Sequence, residues 1–270
     1  LTGISSGDVI FSGLKGLASS GTLTIPADFS CFLYVLGGGG SGGVVARKND
    51  DGWSGAVSGG GAGGMVFSYI AATGSDRVLT CTIGAGGSGR NDSSGGTAGL
   101  VGGTTTVTGT GISVTCTGGG GGGFGYSTGT GEVSAAGATG GSATGGDLSV
   151  AGGTTGIITK SGVAGYNVGA GGMTNGGNIA ANTARLIAEA ATSTTKPDTT
   201  TSIAPYNNDV ILPSLGTFVF SISANNATST SANGAVGCGS GGSYCGSSDG
   251  FTGNRTAISG NGGTGIVYIY

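Results

Sequence analysis

Histidine is absent from the 270-residue chain, which removes most of the usual catalytic couples at once. Ser/His and Cys/His nucleophile–base pairs need an imidazole, and a histidine-ligated metal site needs one as a ligand. The five cysteines, Cys31, Cys81, Cys116, Cys238 and Cys245, include no CxxC pair. Cys31, Cys81 and Cys116 lie beside Leu33, Leu79 and Val114 in strand-like runs and read as small buried hydrophobes. Cys238 and Cys245 bracket a Gly/Ser loop and are the candidates for a disulfide, which suits an exported protein. The odd count leaves at least one thiol outside any intrachain pair.

Other motifs are weaker. Gly84-Ala-Gly-Gly-Ser-Gly89 satisfies GxGxxG and follows a strand-like run. The dinucleotide fingerprint also requires a helix to start there, and Arg90-Asn-Asp-Ser-Ser-Gly95 contains no good helix former. A chance match in a glycine-rich chain is the expectation, with no cofactor. Asp50 and Asp51 beside Asn49 offer oxygen ligands, but without EF-hand spacing they are a weak Ca²⁺ candidate against a plain solvated turn. Asn91, Asn226 and Asn254 open acceptor patterns for N-glycosylation, which three matches in so Asn-, Ser- and Thr-rich a chain can meet by chance. Trp53, Tyr69, Tyr126, Tyr166, Tyr206 and Tyr244 sit in or beside glycine-rich stretches. As exposed loop aromatics they would make a contact surface for saccharide or protein; as rings laid over glycine backbone they would shield it from water. No residue set points to a reaction, and the expectation is a protein that is not an enzyme.

The elements that must position these residues follow from composition. Gly accounts for 67 residues, and only 8% are charged, for a net charge of −3. With no basic patch, phosphate neutralisation and hence nucleic-acid binding are not expected. No apolar run approaches the roughly 20 residues of a membrane-spanning helix. Low charge favours association between copies. A first residue of Leu rather than Met is read as the mark of a removed leader and so of export, to an extracellular, cell-surface or virion location.

Strand-like runs switch repeatedly into or out of bare backbone. Cys31–Leu36 runs into Gly37–Gly40, Val78–Ile83 into Gly84–Gly87, and Ile112–Thr117 into Gly118–Gly123. The reverse switch precedes Met65–Ile70 and Ile266–Tyr270. Period-2 alternation of Ile112, Val114 and Cys116 against Ser113, Thr115 and Thr117 marks a half-buried strand. Cys31–Leu36 and Ile266–Tyr270 are apolar on both faces, which places them centrally, covered on both sides. The predicted fold is all-β: a β-sandwich or jelly-roll-like base feeding glycine segments packed as polyglycine II helices, with three residues per turn as in polyproline II. Ile179–Ala191, rich in Ala and free of Gly, is the one helix-like stretch. Residues 1–20, with Val9, Ile10 and Phe11 as an assembly strand, read as an N-terminal extension. Residues 21–270 read as one glycine-rich β domain with an insertion at about 179–205.

This order of parts resembles the glycine-rich domain of bacteriophage tail-fibre and other surface-fibre proteins. The resemblance rests on Thr24-Ile-Pro26 with Phe32 to Gly40, on the Gly59 to Gly87 unit, on Gly145-Gly-Asp-Leu-Ser-Val150, and on Gly265 to Tyr270. It spans roughly residues 21–270. A looser similarity exists to the glycine-rich ectodomain of anaplastic-lymphoma-kinase-type receptors. The resemblance implies a structural or adhesive role. The expected function is therefore a non-catalytic structural subunit of an extracellular or virion-surface fibre, whose partners are copies of itself. The alternatives are a receptor-binding adhesin at a tail-fibre tip, contacting a host-surface glycan or protein, and an ice-binding protein suggested by the Thr104–Thr108 run.

Overall fold

In the computed structural model the residues described are 15–46, 54–93, 95–127, 132–160, 165–169, 171–172, 185–189, 201–203, 218–223, 227–231, 233–234, 236–240, 242–245 and 255–270. All regular structure among them is strand. The all-β expectation holds.

Two five-stranded sheets form the base. In the first, Lys15–Leu17, Ile266–Ile269, Cys31–Leu36, Met65–Ile70 and Leu148–Val150 lie side by side in that order. In the second the order is Ala143–Thr144, Ile112–Cys116, Thr105–Gly109, Arg77–Thr82 and Gly21–Ile25. Alternation turns Leu33, Val35, Val66 and Val267 of one sheet toward Leu23, Leu79, Val107 and Val114 of the other, and these residues make the main core. Burying a side chain of this kind stabilises by about 1.5–3 kcal/mol. On the other face of the first sheet Tyr34, Leu36, Met65 and Ile266 are also buried, partly beneath Val236. That second cover explains why Cys31–Leu36 is apolar on both sides, and Ile266–Ile269 does lie inside its sheet.

Beyond the base the strands lose their side chains and pack backbone to backbone. Residues 37–43 show the rule. Gly37, Gly40 and Gly43 donate N–H bonds to Gly64, Gly61 and Ser58; Gly38 and Ser41 donate to Gly103 and Leu100; Gly39 donates to Gly263 and Gly42 to the Ser240 hydroxyl. Successive donors point in three directions and the pattern repeats every third residue, the period of a three-residue-per-turn helix.

Two segments are enclosed. Around 37–43 stand 58–64, 117–123, 99–103, 84–90, 259–265 and 237–240. Around 58–64 stand 37–43, 117–123, 136–142, 152–155, 171–172 and 237–240. The bonds to these two segments are 2.8–3.1 Å long. Such packing needs the missing Cβ: one built on Gly39 would lie 1.9 Å from the Cys238 carbonyl oxygen, and one on Gly61 would lie 2.0 Å from that of Thr139. The entropy lost in ordering so much glycine is thus offset by bonds of about 0.5–1.5 kcal/mol each.

At the far end of the bundle the chain regains side chains in small distal sheets. One runs Phe124–Ser127, Ser54–Val57, Gly165–Gly169, Arg185–Glu189; another places Val44–Ala46 between Ser243–Cys245 and Gly96–Thr97. The glycine segments therefore run out from the base and return to it, tied at both ends.

Two expectations are corrected. The helix expected at 179–191 is not formed where the chain is described: Arg185–Glu189 is a strand, paired antiparallel with Gly165–Gly169. Alanine's helix preference is worth only a few tenths of a kcal/mol per residue, and Leu186 and Ala188 alternate with Arg185, Ile187 and Glu189 in a way a ladder can use. Residues 1–20 are not wholly an extension either. Lys15–Leu17 pairs with Val267–Ile269 at the edge of the first base sheet, Leu17 packs on the main core, and Gly16 lies against the Tyr268 ring.

Candidate functional site

Sequence position alone scattered the candidate contact aromatics, but strand register gathers two of them. Tyr126 lies opposite Gly55, and Tyr166 lies opposite Gly55 from the other side of the same strand. Tyr244 belongs to the neighbouring distal sheet, opposite Val45. Side chains at 166 and 244, and all of Trp53 and Tyr206, lie outside the described residues. Tyr126 itself is 44% exposed, with its ring stacked beside Phe124 at 6.4 Å. Gly96 lies against that Phe124 ring, so the strand Gly96–Thr97 backs the pair. The distal end thus presents aromatic positions on a strand framework, fastened to the base through main chain.

A second aromatic group was anticipated only at Tyr69. Phe32, Phe67, Tyr69 and Tyr270 cluster on the outer face of the first base sheet, with ring centroids 5.2–6.3 Å apart. Phe32, Tyr69 and Tyr270 are substantially exposed. Asp147 flanks the group, accepting bonds from the Tyr69 N–H and the Ser68 hydroxyl. The signal was in the sequence: Phe32, Phe67 and Tyr69 sit at alternate positions of two strands that pair as Phe32 to Tyr69 and Tyr34 to Phe67.

The remaining candidates resolve as follows. Cys81 and Cys116 are buried in the main core and Cys31 packs against it, as expected of small hydrophobes. Burial pushes the Cys116 thiol up to about 12, and also raises Cys31 and Cys81. Cys238 is buried, but the side chain of Cys245 lies outside the described residues, and so does their suggested pairing. Asp50, Asp51, Val9, Ile10, Phe11, Asn226 and Asn254 also lie outside them. Asn91 is exposed, on the strand Asn91–Asp92 opposite Ile258. Among the described residues no three Cys, Asp or Glu side chains converge on a metal-sized site. No helix there is long and apolar enough to cross a membrane.

The Gly84–Gly89 match is structural. A strand, Asn91–Asp92, follows it rather than a helix, and a Cβ on Gly86 would strike the Gly262 carbonyl. The Thr104–Thr108 run feeds the base strand Thr105–Gly109, where Thr105 is buried and its hydroxyl accepts the Gly84 N–H.

Sequence reasoning also missed the hydroxyls that sew the bundle. Ser58 donates to the Ala136 carbonyl and accepts the Gly123 N–H. Thr155 donates to the Gly59 carbonyl and accepts the Ala138 N–H. Ser240 donates to the Gly260 carbonyl and accepts the Gly42 N–H. All three are buried. Ser or Thr residues set among glycines were the available sign. The chain matches no protein-family model, and no curated protein matches it.

Proposed function

We propose that the chain is a non-catalytic structural subunit of an extracellular or virion-surface fibre, assembling with copies of itself through strand addition and glycine-rich packing. In this reading the segments whose bonding repeats every third residue are polyglycine II helices, and the bundle is the stiff shaft between base and distal sheets. The observation that carries it is the bonding of 37–43 and 58–64 on every side by main chain. A segment held in that way resists bending without needing a large side-chain core. Edge strands supply the joining chemistry: Leu148–Val150 closes one side of the first base sheet and leaves Leu148 half exposed. Unpaired edges accept an added strand from another chain.

The test is electron microscopy with sedimentation of the purified full chain and of a variant lacking residues 1–14. The full chain should form filaments, and the shortened one should remain a folded monomer. Filaments at undiminished yield from the shortened chain would exclude strand addition by Val9–Phe11. A full chain that stays monomeric at every concentration would exclude self-assembly altogether.

A second reading, the fibre-tip adhesin, is favoured by the register of Tyr126 and Tyr166 about Gly55. It requires a non-polymerising chain that binds host cells, with binding lost in Tyr126→Ala.

A further inference from the structure

On the flank of the bundle, between residues 84–90, residues 233, 234 and 236, and residues 259–265, runs an open groove of about 380 Å³. Its polar rim is built from Ser88, Asn233, Asn261 and Thr264. The floor cannot be filled by side chains. A Cβ on Gly86 would meet the Gly262 carbonyl, one on Gly262 the Gly39 carbonyl, and one on Gly234 the Cys238 carbonyl. These glycines are demanded by the inner face of the bundle, and the outer face is left as bare backbone in consequence. Val236, packed near Tyr34 and Leu36, anchors the outer wall to the base.

The two carboxamides are oriented by their own bonds. Asn233 Oδ1 accepts the Asn261 N–H at 2.8 Å, and Asn261 Oδ1 accepts the Gly89 N–H at 2.7 Å. A backbone N–H can only donate, so in each amide the oxygen is the end turned to the bundle. Each Nδ2 is left with no protein partner among the described residues, as are the Ser88 and Thr264 hydroxyls. No charged side chain lines the groove. It therefore offers neutral donors and hydroxyls beside flat backbone, in a volume within the roughly 300–1,000 Å³ range of small-molecule sites.

The geometry points to a binding site for a neutral saccharide unit, held by the Asn233 and Asn261 amide donors and the Ser88 and Thr264 hydroxyls. An anion would find no counter-charge there, and an apolar ligand would strand two amide donors away from water. The assignment does not depend on filament formation, because every residue that it uses belongs to one chain.

The test is a titration of the isotope-labelled full chain with maltose, cellobiose and lactose in turn, followed by nuclear magnetic resonance. The side-chain amide signals of Asn233 and Asn261 should shift saturably with at least one of them. Ala85→Trp, placed on the exposed rim, should abolish those shifts at unchanged melting temperature. Thr264→Val, which keeps the volume and removes the hydroxyl, should weaken binding about fivefold, the effect of one hydrogen bond; it decides the matter if the Trp variant does not fold. No shift of either amide with any of the three sugars would overturn the proposal. So would equal affinity in the Thr264→Val variant, or shifts produced by inorganic phosphate and not by the sugars.

Discussion

Replacing Gly40 by Ala tests the main-chain bundle directly. The new Cβ would stand 1.9 Å from the Gly120 carbonyl oxygen and 2.6 Å from its carbon. That is some 1.6 Å inside an ordinary contact of about 3.5 Å, and the obstacle is backbone that no rotamer can move. Relief requires 37–43 and 117–123 to separate. Each is held from other sides, through Gly40 to Gly61, Ser240 to Gly40, Gly61 to Gly120 and Gly120 to Thr139, and the two are joined directly by Gly119 to Gly38 and Gly122 to Ser41. Breaking two or three of these, at about 1–3 kcal/mol for each buried group left unpaired, costs on the order of 3–8 kcal/mol. The opposing gain, a less flexible unfolded chain, is only about 0.4–1 kcal/mol. Against a typical domain stability of about 5–15 kcal/mol, Gly40→Ala should unfold the chain or leave it marginal. Gly21→Ala is the control: its Cβ would meet nothing closer than 3.8 Å, the Leu17 Cδ1. It should lie within about 0.5 kcal/mol of the parent. Urea unfolding of both variants is the assay. Equal stability of Gly40→Ala and Gly21→Ala would refute the claim that the missing Cβ is what lets the segments pack.

Ser240→Ala should cost roughly 2–4 kcal/mol in the same assay, because it strands the Gly42 N–H and the Gly260 carbonyl in a buried place; a loss below about 0.5 kcal/mol would mean that water replaces the hydroxyl. Leu33→Ala, in the main core, should cost about 2–5 kcal/mol, whereas Val101→Ala on the exposed bundle flank should be nearly neutral; similar losses would show that the sandwich core is not where side-chain stability resides. Cys116 holds its proton up to about 12 in the folded chain, against an ordinary value of 9.0. The unfolded chain therefore sheds that proton first, so the contribution is whole below 9.0 and declines as pH rises toward 12. Unfolding monitored between those values should show stability falling, with the slope reduced in Cys116→Ala, and an unchanged slope would remove Cys116 as its source.

Much of the base was legible because two-residue alternation is a direct consequence of strand geometry. Leu33 and Val35, or Val114 and Cys116, announce which face is covered. The glycine runs announced that backbones would approach closely, and the out-and-back course followed from the order of strands and runs. The distal sheets were not legible: Val44–Ala46, Ser54–Val57 and Gly96–Thr97 are too short and too plain for alternation to register, and they form because the bundle delivers them side by side. Arg185–Glu189 was misread for a related reason, since a local preference was weighed where a partner strand decides. The pairing of Tyr126 and Tyr166 across Gly55 and the groove at Asn233 and Asn261 depend on which run neighbours which, and runs of the same residue carry almost no information about that.

How such uninformative runs find one arrangement is answered by the register at their ends. The ladder joining Leu36 to Met65 continues without a break into Gly37 to Gly64, Gly40 to Gly61 and Gly43 to Ser58. The one joining Thr115 to Thr144 continues as Thr117 to Ser142, Gly120 to Thr139 and Gly123 to Ala136. The distal pairing of Phe124 with Val57 runs back as Ser58 to Gly123, Gly61 to Gly120 and Gly64 to Thr117. In a sheet, a slip of one residue turns every side chain to the wrong face. In the bundle, the same slip turns each donor from one neighbour to the next, because the directions repeat every third residue. A slip must therefore be divisible by both two and three to satisfy sheet and bundle together, and one so large would carry Ser58 or Ser240 out of its hydroxyl bridge. Patterned strands at both ends, and a few hydroxyls between them, thus fix a register that the glycines alone would leave free.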